Sequence, residues 1–370
     1  MNYPRIVFIL NSNEFDGGSR LIYELVRELH RSIDVVIFIP IIPRYRLFVA
    51  ENCKQMQPLK ALIKKFLYCL RWVTLEITYQ KLNWVYDYKK LLPYRRCFFS
   101  PPKRFINGAD KVVLNSWYHV FNFYELWRTQ RNKFSVFHHH VENYSVDAVV
   151  KMRREIFESS KSITLCKKSR DHIEQERLGI PKVLFLGIND EIFNVNRTSV
   201  ERDLRSTDVT LYRGFEKRKG FDYGLKSLQE ISKELSLSCC VLQGSKRAKL
   251  NADFTTYSEL TDRDIANLLR NTKIFVYPSL FEGFGLPPLE AMACGCAVVT
   301  TSVGAIPEYA IHMENAFIVE SANSAAITQA IRFLCYNPQD RLRIQENAAK
   351  VARNYSWSQT AKKFCEIIGV

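Results

Sequence analysis

The stretch from Phe275 to Tyr309, FVYPSLFEGFGLPPLEAMACGCAVVTTSVGAIPEY, most constrains how this chain can fold. Ile274 to Tyr277 is a short β-rich apolar run, broken into a loop by Pro278 and Gly283. Pro287 and Pro288 suit the first turn of a helix, where a missing N–H has no partner to lose, and Gly295 stands where a C-terminal cap is expected. A helix is therefore expected from about Pro287 to Cys294, with Glu290 in its first turn, and a second strand after it.

This order also suggests chemistry. Gly283 and Gly285 leave the backbone bare enough for a ligand to approach, and a helix start offers N–H groups and partial positive charge that suit phosphate. A carboxylate at the same place would repel phosphate, so Glu282 and Glu290 are read as acceptors for neutral hydroxyls, which a pentose or hexose supplies in pairs. The alternative is structural: Glu290 favouring the helix dipole and the glycines making a turn.

At 370 residues the chain is too long for one ordinary core, and two domains of similar size are expected. The apolar run Ile6 to Leu10 is too short for a signal-peptide core and no segment has the length and apolarity of a membrane span, so a cytoplasmic protein is expected. Ten cysteines without a C-x-x-C pair read as reduced thiols rather than as a disulfide framework or zinc site. The net charge of +15 implies an anionic partner, and it is local: between Lys54 and Arg104 twelve Lys/Arg face two acidic residues, Glu76 and Asp87.

Taken in order, Arg5 to Leu10 reads as a buried strand, followed by a loop with Gly17-Gly18 and a helix carrying Leu21, Leu25 and Leu29 at helical spacing. This is not the G-x-G-x-x-G fingerprint of dinucleotide binding, and the Gly pair by itself reads as a turn. Within residues 54–104, Leu59, Leu62, Ile63, Phe66, Leu67 and Leu70 form one helical face among lysines, and Trp72, Trp84, Tyr86 and Tyr88 follow. Two readings stand: an amphipathic helix on an anionic membrane, or a core-facing helix with a solvated basic side. No RRM, KH or zinc-finger motif accompanies the basic and aromatic residues, so nucleic acid is not an expected partner.

Phe134 to Phe137 is a strand running into His138, His139 and His140. Neighbours on an extended chain point to alternate faces and do not all ligate one ion, so no metal site is assigned. The polar run Asn194 to Ser206 reads as a linker. After the strand Val209 to Tyr212, Arg213 and Lys219 are placed to converge on a diphosphate, although a basic loop is also often merely solvated. Asp262-Arg263-Asp264 imitates a metal-binding D-x-D, but it opens a helix, so capping is the better account.

Two carboxylates eight positions apart, framing GFGLPP, closely resemble the E-x7-E signature of family 4 of the retaining GT-B glycosyltransferases (glycosyl transferases group 1). The resemblance implies two doubly wound Rossmann-like α/β domains with an interdomain cleft, and a donor that is a UDP- or GDP-linked nucleotide-diphosphate sugar, with no cofactor and no metal. It implies an acceptor-binding domain over 1–193, a linker over 194–206, a nucleotide-sugar domain over 207–355, and a helix over 356–370 that crosses back. Residue by residue, it assigns Arg213 and Lys219 to the diphosphate, Glu282 to the sugar hydroxyls and Glu290 to the ribose. Gly283, Phe284, Gly285 and Leu286 belong to the donor loop, Glu259 and Leu260 lie at the nucleobase, Gly17 and Gly18 approach the donor phosphates or the acceptor, and His139 contacts the transferred sugar. The Gly187, Ile188, Asn189 and Phe193 pattern matches the end of the family's first domain. The expected function is transfer of a sugar to a hydroxyl of a glycan or lipid-linked acceptor in cell-surface polysaccharide or glycolipid synthesis, with residues 54–104 meeting the acceptor or the inner face of the membrane. The alternative is a catalytically silent GT-B-shaped scaffold at an anionic membrane or nucleic acid.

Overall fold

A computed structural model describes residues 5–10, 17–40, 94–97, 103–116, 124–138, 154–158, 161–195, 204–214, 216–244 and 254–370. The helical face at 59–70, His139 and His140 lie outside the described residues. The chain divides into two compact units, Met1–Leu184 with Trp357–Val370, and Phe185–Ser356.

The first unit is built on seven strands: β1 (Arg5–Ile9), β2 (Asp34–Pro40), β3 (Tyr94–Cys97), β4 (Lys111–Leu114), β5 (Phe134–His138), β6 (Lys161–Thr164) and β7 (Lys182–Val183). Their spatial order is β3-β2-β1-β4-β5-β6-β7, and every pairing is parallel. Ile6 to Ile9 are fully buried, as a central parallel strand covered on both faces requires. The helix Gly17–Leu29 buries Leu21, Leu25 and Leu29 at the expected spacing. The last helix, Trp357–Ile368, packs in this unit, stacking Phe364 on Phe8 at 5.8 Å and on Phe137 at 6.1 Å. The last strand of this sheet pairs only over Lys182–Val183.

The second unit holds β8 (Thr207–Arg213), β9 (Cys239–Gln243), β10 (Thr255–Ser258), β11 (Thr272–Tyr277), β12 (Ala297–Thr301) and β13 (Phe317–Val319) in the order β10-β9-β8-β11-β12-β13, again all parallel. The strand order reverses between β8 and β11, the switch point at whose carboxyl edge open α/β sheets bind ligands. The helix Leu286–Ala293 starts one residue earlier than expected, with Gly285 as its N-cap in the left-handed region (φ 87°). Glu290 is thus its fifth residue, beyond the first turn. The helix is buried at every position from Pro288 to Ala293.

Its C-terminal end explains a residue in the stretch read as a linker. Arg205 is buried and donates to the carbonyls of Thr272 (2.5 Å), Cys294 (3.0 Å) and Gly295 (2.9 Å), supplying donors to carbonyls that a helix end leaves over. Cys166, Cys240, Cys294 and Cys296 are buried free thiols, and burial pushes Cys296 up to about 12, far from reactive thiolate. Among the described residues no helix is long and apolar enough to cross a membrane, and no cluster of three or more metal-ligating side chains occurs.

Candidate functional site

The site grows from two loops at the switch point. Behind β8, the short turn Lys217–Lys219 closes at Gly220, whose φ of 66° is left-handed. A Cβ there would lie 1.8 Å from the carbonyl oxygen of Pro278, so only glycine lets this turn meet the loop behind β11. The two loops are stitched by hydrogen bonds to main-chain carbonyls: Leu280 N–H donates to the Arg218 carbonyl at 2.7 Å, and Arg218 Nη1 donates to the Phe281 carbonyl at 2.9 Å.

Between these loops lies an ion pair of a buried carboxylate and a part-buried lysine. Lys219 Nζ donates to Glu282 Oε1 at 2.6 Å. The same oxygen accepts from the Tyr277 hydroxyl at 2.7 Å and from Ser279 Oγ at 2.6 Å. Lys219 also donates to the Tyr277 hydroxyl at 2.9 Å. The other carboxylate oxygen, Oε2, has Arg218 Nη1 at 3.9 Å. Burial would raise the Glu282 carboxyl, yet the Lys219 charge and the bonds from Lys219, Ser279 and Tyr277 outweigh it and hold the group below the usual carboxylate range. Burial also pulls Lys219 below the ordinary lysine range, against the opposing pull of Glu282.

The loop behind Glu282 is fixed by its own bonds. Gly304 has φ 57°, and a Cβ on it would sit 2.4 Å from the Glu282 carbonyl oxygen, so the turn after β12 presses directly on this residue. Ala305 N–H donates to the Gly283 carbonyl at 3.0 Å and the Tyr309 hydroxyl to the Gly285 carbonyl at 2.7 Å. Phe284 is buried against Tyr309 at 5.7 Å and Tyr355 at 6.3 Å. Leu286 and Glu290 are buried in the helix that follows.

The predicted residues divide into those brought together and those not. Lys219 and Glu282 are in direct contact. Arg213, last residue of β8, is paired in register with Gln243 and donates to its Oε1 at 2.8 Å, with its guanidinium 5.1 Å from the Phe221 ring centre. The next residue, Gly214, packs under the Lys219 side chain, since a Cβ on it would lie 2.3 Å from Lys219 Cγ. The residue after Arg213 thus lies against Lys219. Glu259 and Leu260 follow the edge strand β10, with Glu259 exposed and left-handed at φ 57°. Asp264 caps the next helix through a reciprocal box with Thr261, in agreement with the capping reading.

In the other unit, Gly17 and Gly18 are the first two residues of their helix. His138 is buried, 3.7 Å from the Phe157 ring and 3.2 Å from Ser162 Oγ through Nε2, so packing accounts for it. Sequence reasoning missed Tyr277, Ser279 and Gly304. The signal for the first two was present: a Tyr at the inward register of a buried strand and a Ser three residues before a carboxylate.

Comparison with known proteins agrees with this architecture. Aligned with HepE of Anabaena, solved in complex with UDP and glucose, the chain gives a TM-score of 0.72 at 13% identity, with 99% of this chain and 100% of that one covered. The GT-B expectation for the fold is borne out. D-inositol 3-phosphate glycosyltransferase of Pseudarthrobacter chlorophenolicus is 32% identical over 148 residues, covering 40% of this chain and 34% of that protein. Lipopolysaccharide core biosynthesis mannosyltransferase LpcC of Rhizobium leguminosarum bv. viciae is 32% identical over 151 residues, 37% of this chain and 43% of that one. The chain therefore spans from about a third to under half the length of these two relatives. The segment that carries the Lys219–Glu282 pair and both loops around it, residues 194–351, matches the family of glycosyl transferases group 1.

Proposed function

We propose that the protein is a retaining, metal-independent glycosyltransferase of family 4, moving a sugar from a UDP- or GDP-linked donor to a hydroxyl of a glycan or lipid-linked acceptor in cell-surface polysaccharide or glycolipid synthesis. The observation that carries this reading is the Lys219–Glu282 pair at the switch point of the second sheet. An ammonium has three donors, and Glu282 and Tyr277 take two; the third suits a phosphate oxygen. Glu282 Oε2 suits a sugar hydroxyl. A group that recognises phosphate and a group that recognises hydroxyls thus stand side by side, as a nucleotide-diphosphate sugar requires.

In this mechanism the bond from the sugar's anomeric carbon to the diphosphate breaks, and the electron pair leaves on the phosphate oxygen. Lys219 and Arg213 stabilise that charge as it builds. The acceptor hydroxyl attacks from the same face and passes its proton to the departing phosphate, so configuration is retained. Glu282 holds the sugar, Glu290 the ribose hydroxyls, and the loop Gly283–Leu286 offers main-chain donors. Glu259 and Leu260 border the nucleobase, and His139, Gly17 and Gly18 serve from the first unit. The basic residues of 54–104 meet the acceptor or an anionic membrane, and vesicle binding released by salt is the expected sign of the latter.

The deciding experiment is hydrolysis or transfer with a panel of UDP- and GDP-sugars, comparing the parent with Glu282→Ala and Lys219→Ala. Losses of about a hundredfold or more are expected for each. Rates within a few-fold of the parent in both variants would show that the site is misassigned.

A further inference from the structure

The Glu282 side chain is held more tightly than binding a hydroxyl alone requires. Among the described residues the close donors Lys219, Tyr277 and Ser279 all converge on Oε1 within 2.6 to 2.7 Å, while the one cation near Oε2 is Arg218 at 3.9 Å. One oxygen is saturated and the other is left for a ligand. The Tyr277 hydroxyl is central, since it accepts from Lys219 at 2.9 Å and donates to Glu282. Its ring is fully buried in β11, next to Tyr212 at 5.1 Å, and cannot swing away without opening the core. Ser279 is also fully buried, and its Oγ lies within 3.2 Å of the Arg218 carbonyl and 3.1 Å of the Phe281 carbonyl as well.

We infer that Tyr277, assisted by Ser279, is a positioning residue that aims Glu282 Oε2 at the donor sugar and ties the carboxylate to the phosphate-binding lysine. This deepens the proposed function and rests on it. The charged and titratable groups facing Glu282 are Lys219 and Arg218 from the loop behind β8, Tyr277 from β11, and Tyr309 from the helix Ile306–Tyr309. Burial and the Glu282 charge keep the Tyr277 phenol protonated far above its ordinary range, so it stays a donor across the working pH. A neutral donor on an ionised carboxylate favours the ionised form, and its removal lets the carboxyl protonate at higher pH. The sign follows: a carboxylate held below its ordinary value adds stability above that value and loses it as pH falls through the folded one.

The test uses Tyr277→Phe and Ser279→Ala in the full chain. Tyr277→Phe is expected to lower kcat about tenfold while the donor KM moves less than about threefold, and to shift the acid limb of the kcat/KM profile to higher pH. Ser279→Ala moves both in the same direction by less. In a Glu282→Gln background the Tyr277→Phe effect should largely vanish, because the group being positioned is gone. Unchanged kcat and acid limb in both single variants would overturn the inference, as would a Tyr277→Phe loss that persists in full beside Glu282→Gln. A second readout separates this from the failure of the proposed activity: the acid loss of thermal stability should be smaller, and complete at higher pH, in Tyr277→Phe than in the parent. If the parent turns over no nucleotide sugar, that shift still supports the positioning of Glu282, and melting profiles of parallel pH dependence overturn it.

Discussion

Where strand order reverses, the first sheet sets β1 beside β4 and the second sets β8 beside β11, in the same arrangement. The described residues at the two places differ in kind. In the first unit β1 leads into Leu10 and β4 into Asn115, whose N–H donates to the Ile9 carbonyl at 3.0 Å; both are fully buried. In the second unit the same positions lead to a lysine and a glutamate in contact, each nearly buried. A shared topology thus supplies the crevice, and the residues at the strand ends decide what the crevice can hold. Lys219 is tolerable at that depth only because Glu282 faces it, and the reverse is equally true.

The sharpest way to break this comparison is to remove one partner. Lys219→Met leaves a carboxylate buried without its cation and is expected to cost about 3–5 kcal/mol at neutral pH by denaturant unfolding. The deficit should narrow as pH falls, since Glu282 protonates in the variant before it does in the parent. Lys219→Met with Glu282→Gln should recover most of the loss. A single-variant cost under about 1 kcal/mol would place the pair among ordinary surface contacts and dissolve the contrast between the units.

Next in size is the packing that seats Glu282. Gly304→Ala puts a methyl 2.4 Å from the Glu282 carbonyl at a left-handed φ, and is expected to cost about 2–4 kcal/mol by thermal or urea unfolding. A cost under about 1 kcal/mol would mean that the turn after β12 yields easily and does not hold the loop.

Much of this was legible in the sequence, for reasons that differ by element. The strands at Lys111–Leu114 and Phe134–His138 are short apolar runs with clear breaks, and such runs have few alternative placements. The helix Leu286–Ala293 was marked by its prolines and by the glycine beyond it. The pairing of Lys219 with Glu282 was not legible, because the two residues are 63 apart and only the parallel order β8-β11 brings them together. The roles of Tyr277 and Gly304 were hidden for the same reason: each depends on a close approach between loops of different strands. Arg205 shows the converse. A charged residue in a polar run signals exposure, whereas this one is buried by carbonyls from two elements far along the chain.

A smaller effect is expected at the neighbouring strand end. Arg213 stands on β8 beside the site but is engaged with Gln243 and Phe221 rather than with Glu282. Arg213→Gln should lower kcat/KM for the donor about tenfold, less than the loss from Lys219→Ala, with stability changed by under about 1 kcal/mol. A loss as large as that of Lys219→Ala would make the arginine an equal partner at the diphosphate and move the centre of the site toward β9.

The smallest effect concerns carboxylates of the same unit but away from the reversal. Asp262 and Asp264 follow the edge strand β10, where Asp264 Oδ2 accepts from the Thr261 N–H at 3.2 Å and its hydroxyl at 2.6 Å while Thr261 Oγ1 accepts from the Asp264 N–H at 3.2 Å. These bonds satisfy a helix start and leave the D-x-D spacing with a structural cause. Asp264→Ala is therefore expected to cost about 1 kcal/mol of stability and to leave donor hydrolysis within about twofold of the parent, with no response to a chelator in either protein. A large loss of turnover in Asp264→Ala, or inhibition of the parent by chelator, would give these edge carboxylates a catalytic role. It would also remove the difference between an acidic residue at the strand reversal, paired with a lysine, and those at the sheet edge, which hold the fold.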